Sequence, residues 1–187
     1  VDKQYLRFVM AEAPILEPVT KLGGQPVWLE EPTWPLSATT GNPMRFIGQI
    51  ALPDDRPRLA YLFMTEDEDA WLIEGTWETD AGENAFFAQP GRPAPLYDVR
   101  PLSTGPTHGP DHLAVPASSE ETSTSFLGGA PKWLQGEETP TTSGPWEHTL
   151  QLDSCDVPFP INFGDAGIGY AFLNPHTGEG RFLWQCC

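Results

Sequence analysis

Basic residues are scarce in this chain: 10 Lys plus Arg stand against 26 Asp plus Glu in 187 residues, a formal net charge of −16 at pH 7. Nucleic-acid binding is driven by cations that neutralise phosphates, so this balance argues against nucleic acid as a direct ligand. An anionic membrane surface is disfavoured for the same reason. Long apolar runs are also missing, the longest falling well short of the roughly 20 residues that span a bilayer. No basic-then-apolar leader opens the sequence. The expectation is a soluble, cytoplasmic protein with neither membrane nor nucleic acid among its partners. Cysteine is short too: Cys155 and the pair Cys186 and Cys187 give an odd count with no Cys-x-x-Cys, which indicates neither a disulfide framework nor a zinc ribbon. The sequence has no Gly-x-Ser-x-Gly elbow, no Gly-x-Gly-x-x-Gly and no Walker-type Lys loop, so nucleophilic catalysis and nucleotide cofactors are unsupported. Cys155 sits between Asp153 and Asp156, whose charges raise a thiol pKa. The expectation is a non-enzymatic protein with no cofactor and no metal.

What is abundant is aromatic surface and chain punctuation. Seven Trp, ten Phe and four Tyr supply large apolar groups, and a chain of this length can bury about 70% of its unfolded surface. Pro at 21 and Gly at 18 together make about a fifth of the residues, a composition of short strands joined by many turns. The predicted class is α+β, mostly β. The helical part rests on Gln4 to Ala13, where Tyr5, Phe8, Val9 and Glu12 fall near helical spacing before Pro14. Leu59 to Phe63 and Ile168 to Leu173 are short aromatic-rich apolar runs that fit buried strands. Trp71 to Trp77 alternates partly. Arg181 to Gln185 reads as a final strand, paired as a hairpin with Gly169 to Leu173 across the turn from Asn174 to Gly178.

An internal repeat organises the chain. Leu22-Gly23-Gly24-Gln25-Pro26-Val27-Trp28-Leu29 returns 105 residues later as Leu127-Gly128-Gly129-Ala130-Pro131-Lys132-Trp133-Leu134, with six identities in eight positions. Gln49 precedes the run from Leu59 to Phe63, and Gln151 precedes Ile168 to Phe172 in the same order. Such a pattern predicts a single internally duplicated, pseudo-two-fold globule over residues 1–187. Its repeats span about 15–116 and 126–187, joined by the exposed Ser/Thr/Glu-rich connection 117–125. Two glycines in succession let the chain reverse tightly and a Trp lie against the turn.

The segment from Lys21 to Trp28, then Trp34-Pro35, then Pro43 to Ile50 resembles the YwqG-like family, a bacterial domain of unknown function. Phe163 to Gly167, Tyr170-Ala171-Phe172 and Trp184-Gln185 are similar to that family's C-terminal pattern, so the resemblance covers nearly the whole chain. It implies an α+β or mostly-β fold with an internal duplication, and no particular chemistry. The Leu-Gly-Gly-x-Pro-x-Trp-Leu and Met-x-Phe-Ile-Gly-Gln segments also resemble the N-terminal part of the programmed cell death protein 2 family, eukaryotic chaperones of a ribosomal protein. Where that family carries Cys-x-x-Cys, this chain has Thr39-Thr40-Gly41-Asn42, which removes the zinc inference.

Candidate sites divide into structural and functional groups. Gly23, Gly24, Pro26, Trp28, Gln49 and their counterparts Gly128, Gly129, Pro131, Trp133 and Gln151 form the repeated motif. A buried Gln must satisfy both its amide and its carbonyl, and bonding to the Gly-Gly turn backbone does so. Asp165, between Gly164 and Ala166-Gly167, is a turn acceptor or a ligand contact. His108, Asp111 and His112 are metal-ligand types, but Gly109-Pro110 prevents one helical face, and a mobile loop is expected. The acidic run Glu66-Asp67-Glu68-Asp69 reads as a solvated face or as an electrostatic docking surface, with exposed Trp71 or Trp77 as an apolar anchor.

Two functions from different classes follow. In the first, an acidic face docks a basic protein, as a toxin-neutralising immunity protein or a chaperone of a basic client. In the second, a small-molecule-binding or enzymatic cleft lies between the repeats, lined by aromatics, Gln49, Gln151 and Asp165. An orphan structural fold is a third.

Overall fold

A computed structural model describes residues 2–118 and 122–187; Ser119, Glu120 and Glu121 of the expected connection lie outside the described residues. The described residues form strands and no helix: β1 (Gln4–Met10), β2 (Lys21–Leu22), β3 (Trp34–Pro35), β4 (Arg45–Ala51), β5 (Leu59–Met64), β6 (Asn84–Gln89), β7 (Val99–Arg100), β8 (His112–Pro116), β9 (Phe126–Leu127), β10 (Glu147–Asp153), β11 (Ile168–Leu173) and β12 (Gly180–Gln185). Ten strands make one antiparallel sheet in the order β12-β11-β10-β9-β1-β8-β2-β4-β5-β6, while β3 and β7 pair separately. The β1–β8 pair lies at the centre of this order. On one side β9 flanks β1 and on the other β2 flanks β8.

The helix expected over Gln4 to Ala13 is not formed, because this stretch is β1. Tyr5, Phe8 and Val9 suit a pleated surface, and pairing with both β8 and β9 satisfies the backbone while burying Leu6. Weak helical propensity yields to that long-range pairing. Nor is Trp71 to Trp77 a strand; it runs as turns closed by Thr76 N–H to Ile73 O at 3.4 Å, with Trp71 and Leu72 exposed. Within the connection expected to be exposed, the described end is partly buried. Ser123 and Ser125 are buried on Asp156, whose Oδ2 accepts from Ser123 Oγ at 3.0 Å, Ser125 N at 2.9 Å and Ser125 Oγ at 2.8 Å.

The sheet curls until β6 and β12 meet, through an antiparallel bridge between Phe87 and Glu179 and a bond from Ala88 N–H to Gly178 O at 2.7 Å. Gly180 makes this close approach possible, since a Cβ there would strike the Phe86 carbonyl. Inside the nearly closed sheet, Leu22, Ile47, Leu62, Phe86, Leu150, Leu152, Phe163, Ala171 and Phe182 pack as the main core. Two smaller clusters lie apart from this core. Trp34, Phe46, Tyr61, Phe63 and Phe87 pack with Trp28, while Tyr170, Phe172 and Leu183 pack with Trp133 and Trp146.

At the start of β6 lies a buried carboxylate. Glu83 accepts Ser37 Oγ at 2.7 Å, Thr65 Oγ1 at 2.6 Å and Thr39 N–H at 2.8 Å. Burial by itself would raise its pKa, but these hydrogen bonds outweigh it and hold the group below the ordinary value of 4.5. A depressed folded pKa means stability that is present above the unfolded value and is lost as pH falls through it toward the folded one. Thermal melts from pH 6 to pH 3 are expected to show a falling midpoint, with a shallower fall in Glu83→Gln.

Candidate functional site

The repeated motif is built twice with the same bonds. Gly23 and Gly24 adopt φ of 70° and 61°, and Gly128 and Gly129 adopt 68° and 62°, a left-handed turn that side chains disfavour. Beside the first turn, Gln49 Oε1 accepts Val27 N–H at 2.9 Å and Nε2 donates to Val19 O at 3.0 Å. Beside the second, Gln151 Oε1 accepts Lys132 N–H at 2.8 Å and Nε2 donates to Thr124 O at 3.0 Å. Tyr61 Oη donates to Val27 O at 2.8 Å, and Tyr170 Oη donates to Lys132 O at 2.9 Å. Trp28 lies 4.9 Å from Tyr61 at 36°, and Trp133 lies 4.5 Å from Tyr170 at 35°. Both Gln side chains are therefore consumed by main-chain bonds and do not line a cleft.

A second Gln pair completes each clamp and was not singled out from the sequence. Gln89 Oε1 accepts Leu29 N–H at 3.2 Å and Glu30 N–H at 3.1 Å; Gln185 Oε1 accepts Leu134 N–H at 3.1 Å and Gln135 N–H at 3.0 Å. The available signal was Phe-x-x-Gln, present as Phe86 to Gln89 and Phe182 to Gln185.

The residues expected to form a mobile His-Asp-His loop are instead anchored. Lys21, fully buried, pairs with buried Asp111 and donates to Gln25 O at 2.6 Å. Asp111 lies against Gly24, where a Cβ would collide with its carboxylate. His108 stacks on Phe159 at 4.2 Å and 9°, and His112 Nδ1 lies 2.9 Å from Pro110 O. Among the described residues no group of three His, Cys, Asp or Glu side chains is placed to hold a metal. Asp165 is exposed, and the turn acceptor there is Asn162, whose Oδ1 takes Gly164 N–H at 3.0 Å. Asp153 first, then burial, pushes the exposed Cys155 thiol up, away from reactivity.

The acidic run separates into one inward and three outward groups. Glu66 is half-buried, 2.8 Å from Arg45 Nε and 3.0 Å from His108 Nε2. Asp67, Glu68 and Asp69 are exposed; Asp67 Oδ1 accepts Asp69 N–H at 2.9 Å, and Glu68 lies 3.8 Å from Arg45. Trp71 follows, 87% exposed, with its carbonyl accepting from Asn162 Nδ2. Trp77 is not an exposed anchor: it is half-buried, edge-on to Trp184 at 5.8 Å. The run and Trp71 border a cavity of about 560 Å³ whose apolar wall includes Leu72, Ile73, Pro160 and Ile161.

Comparison with protein-family models returns no match to this chain, and comparison with curated proteins returns none either. Among the described residues no helix is long and apolar enough to cross a membrane.

Proposed function

We propose that this protein is a non-enzymatic, acidic binding module that docks a basic protein on the loop from Asp67 to Leu72. The observation that carries the reading is Trp71, 87% exposed, between the outward carboxylates of Asp67, Glu68 and Asp69 and an apolar-walled cavity. Trp is among the residues enriched at interface hot spots, and burial of its large apolar surface by a partner favours binding. The surrounding acids, in a chain of net charge −16, accelerate encounter with a cationic partner and oppose acidic ones. Neutralising a toxin, as an immunity protein, and chaperoning a basic client both need only this surface, and both suit a cytoplasmic protein. The same proposal takes the two Gln-clamped units as products of an internal duplication in a YwqG-like domain, more distantly akin to the programmed cell death protein 2 family. The recurrence of the double-glycine turn, the Gln and Tyr bonds and the Trp stacking in both units supports it.

Fluorescence anisotropy with labelled Lys/Arg-rich peptides that carry Phe or Leu tests this. Trp71→Ala is expected to weaken binding by about 30-fold, the loss typical of a central aromatic anchor. Binding to Trp71→Ala that equals binding to the wild-type chain overturns the assignment.

A further inference from the structure

The curled sheet has two mouths, which the described residues fill unequally. At the first lie Arg45 and Met64 of β4 and β5 with Asp153 and Ile168 of β10 and β11; at the second lie Ala51 and Leu59 with Glu147 and Leu173. The link from β10 to β11, residues 154–167, reaches back into the first mouth. Val157 and Phe163 join the main core there, and Phe159 and Ile161 pack against it. Phe159 lies against the Gly23 turn, 3.4 Å from where a Cβ on Gly23 would stand, and is edge-on to His112 at 6.4 Å.

The corresponding link from β4 to β5, residues 52–58, is half as long and inserts no aromatic side chain. Beside the Gly128-Gly129 turn, where the other mouth holds Phe159, the second mouth therefore keeps a cavity of about 830 Å³. That volume lies within the usual range for small-molecule sites. Ile50, Leu52, Leu127 and Leu173 supply its apolar wall. The wall spans both units, and Arg58 Nη2 ties them by donating to Pro175 O at 3.4 Å.

His148 also lines this mouth. Its Nδ1 lies 3.0 Å from Gly129 O and 3.3 Å from Gly128 O, so the proton sits on Nδ1 and Nε2 is left as an acceptor. Nε2 is buried and packed between Phe126 and Phe172, so the ring closes the wall and offers the mouth no hydrogen-bonding group. Burial lowers the His148 pKa, which keeps the ring neutral. Exposed Asp2 and Glu147 edge the cavity, and so does Arg58, whose guanidinium stays charged while it donates to Pro175 O.

We infer that the open mouth between Ile50–Arg58 and Leu127–Thr149 binds a small, uncharged, largely apolar molecule, its body taking the place that Phe159 fills at the other mouth. A charged head would lose hydration at an apolar wall whose rim carries both signs, Asp2 and Glu147 with Arg58, and Lys3 beside Gly129. This site is separate from the Trp71 loop, which borders the first mouth, and does not rest on the docking reading.

The test uses the full chain with Nile red as a neutral probe, and decylamine, decan-1-ol and decanoate as competitors below micellar concentrations. Saturable one-to-one binding of Nile red is expected, displaced by the alcohol at concentrations about tenfold lower than by decylamine or decanoate. Ala130→Trp and Leu52→Trp, which fill the mouth from two sides, are each expected to weaken the probe by about tenfold or more. Thermal melts establish that each variant is folded, and Trp71→Ala is expected to bind the probe as the wild-type chain does. The inference is overturned by an absence of saturable binding, by binding that both mouth-filling variants leave intact, by either charged competitor matching decan-1-ol, or by a stoichiometry of one probe per two chains.

Discussion

Asp111→Ala is expected to remove about 3–5 kcal/mol of stability, read as a lowered urea midpoint. The reason is the partner left behind. Lys21 is fully buried, and with Asp111 gone its ammonium keeps only the Gln25 carbonyl at 2.6 Å. Ile15 N–H, which donates to Asp111 Oδ2 at 3.3 Å, is orphaned at the same time. A typical domain has about 5–15 kcal/mol to lose, so this single change brings the chain near its unfolding threshold. Replacing both partners, as Lys21→Met with Asp111→Leu, is expected to recover most of the loss, because a buried ion pair is little better than apolar side chains of similar volume. A double variant no more stable than Asp111→Ala contradicts this account of the pair.

Gln49→Ala is expected to cost about 2–5 kcal/mol, because truncation strands both Val27 N–H and Val19 O beside a buried void. Gln151→Ala is expected to cost a similar amount through Lys132 N–H and Thr124 O. The two share no partner and sit in different units, so their effects are expected to add within about 0.5 kcal/mol. Neither is expected to alter the affinity for a basic peptide in the surviving folded fraction. Had these residues read a ligand, binding would fall and stability would hold, which is the opposite pattern.

Much of the sheet was legible because it is encoded locally. Leu59 to Phe63 and Ile168 to Leu173 declare themselves by short aromatic-rich runs, and Asn174 to Gly178 marks the last hairpin. The Gly-Gly repeat announced two turns; each buried Gln was expected to bond the turn's own backbone and instead bonds residues that flank it. The turn-flanking residues Val19 and Val27, and Thr124 and Lys132, supply the partners.

What stayed illegible depends on partners far away in sequence. β1 mimics a helix until β8 arrives, with Leu6 opposite Pro116, and the loop with His108 and Asp111 looks mobile until Lys21 and Phe159 anchor it. The same holds for the candidate sites. Glu66 reads as one more surface acid, but Arg45 and His108 turn it inward. Trp71 and Trp77 are alike on paper; the placement of Trp184 half-buries Trp77, while Trp71 stays exposed. The open mouth has no local signature, since it arises from the different lengths of two links in equivalent positions.

The most direct measurement of the docking claim is affinity capture from the native lysate at low and at high salt. Three baits are compared: the wild-type chain, Trp71→Ala, and the triple charge reversal Asp67→Lys, Glu68→Lys, Asp69→Lys. The account predicts a basic protein held by the wild-type chain at low salt, weakened at high salt and lost from both variants. A partner retained equally by all three baits, or no basic protein enriched by the wild-type chain where candidate partners are expressed, contradicts it.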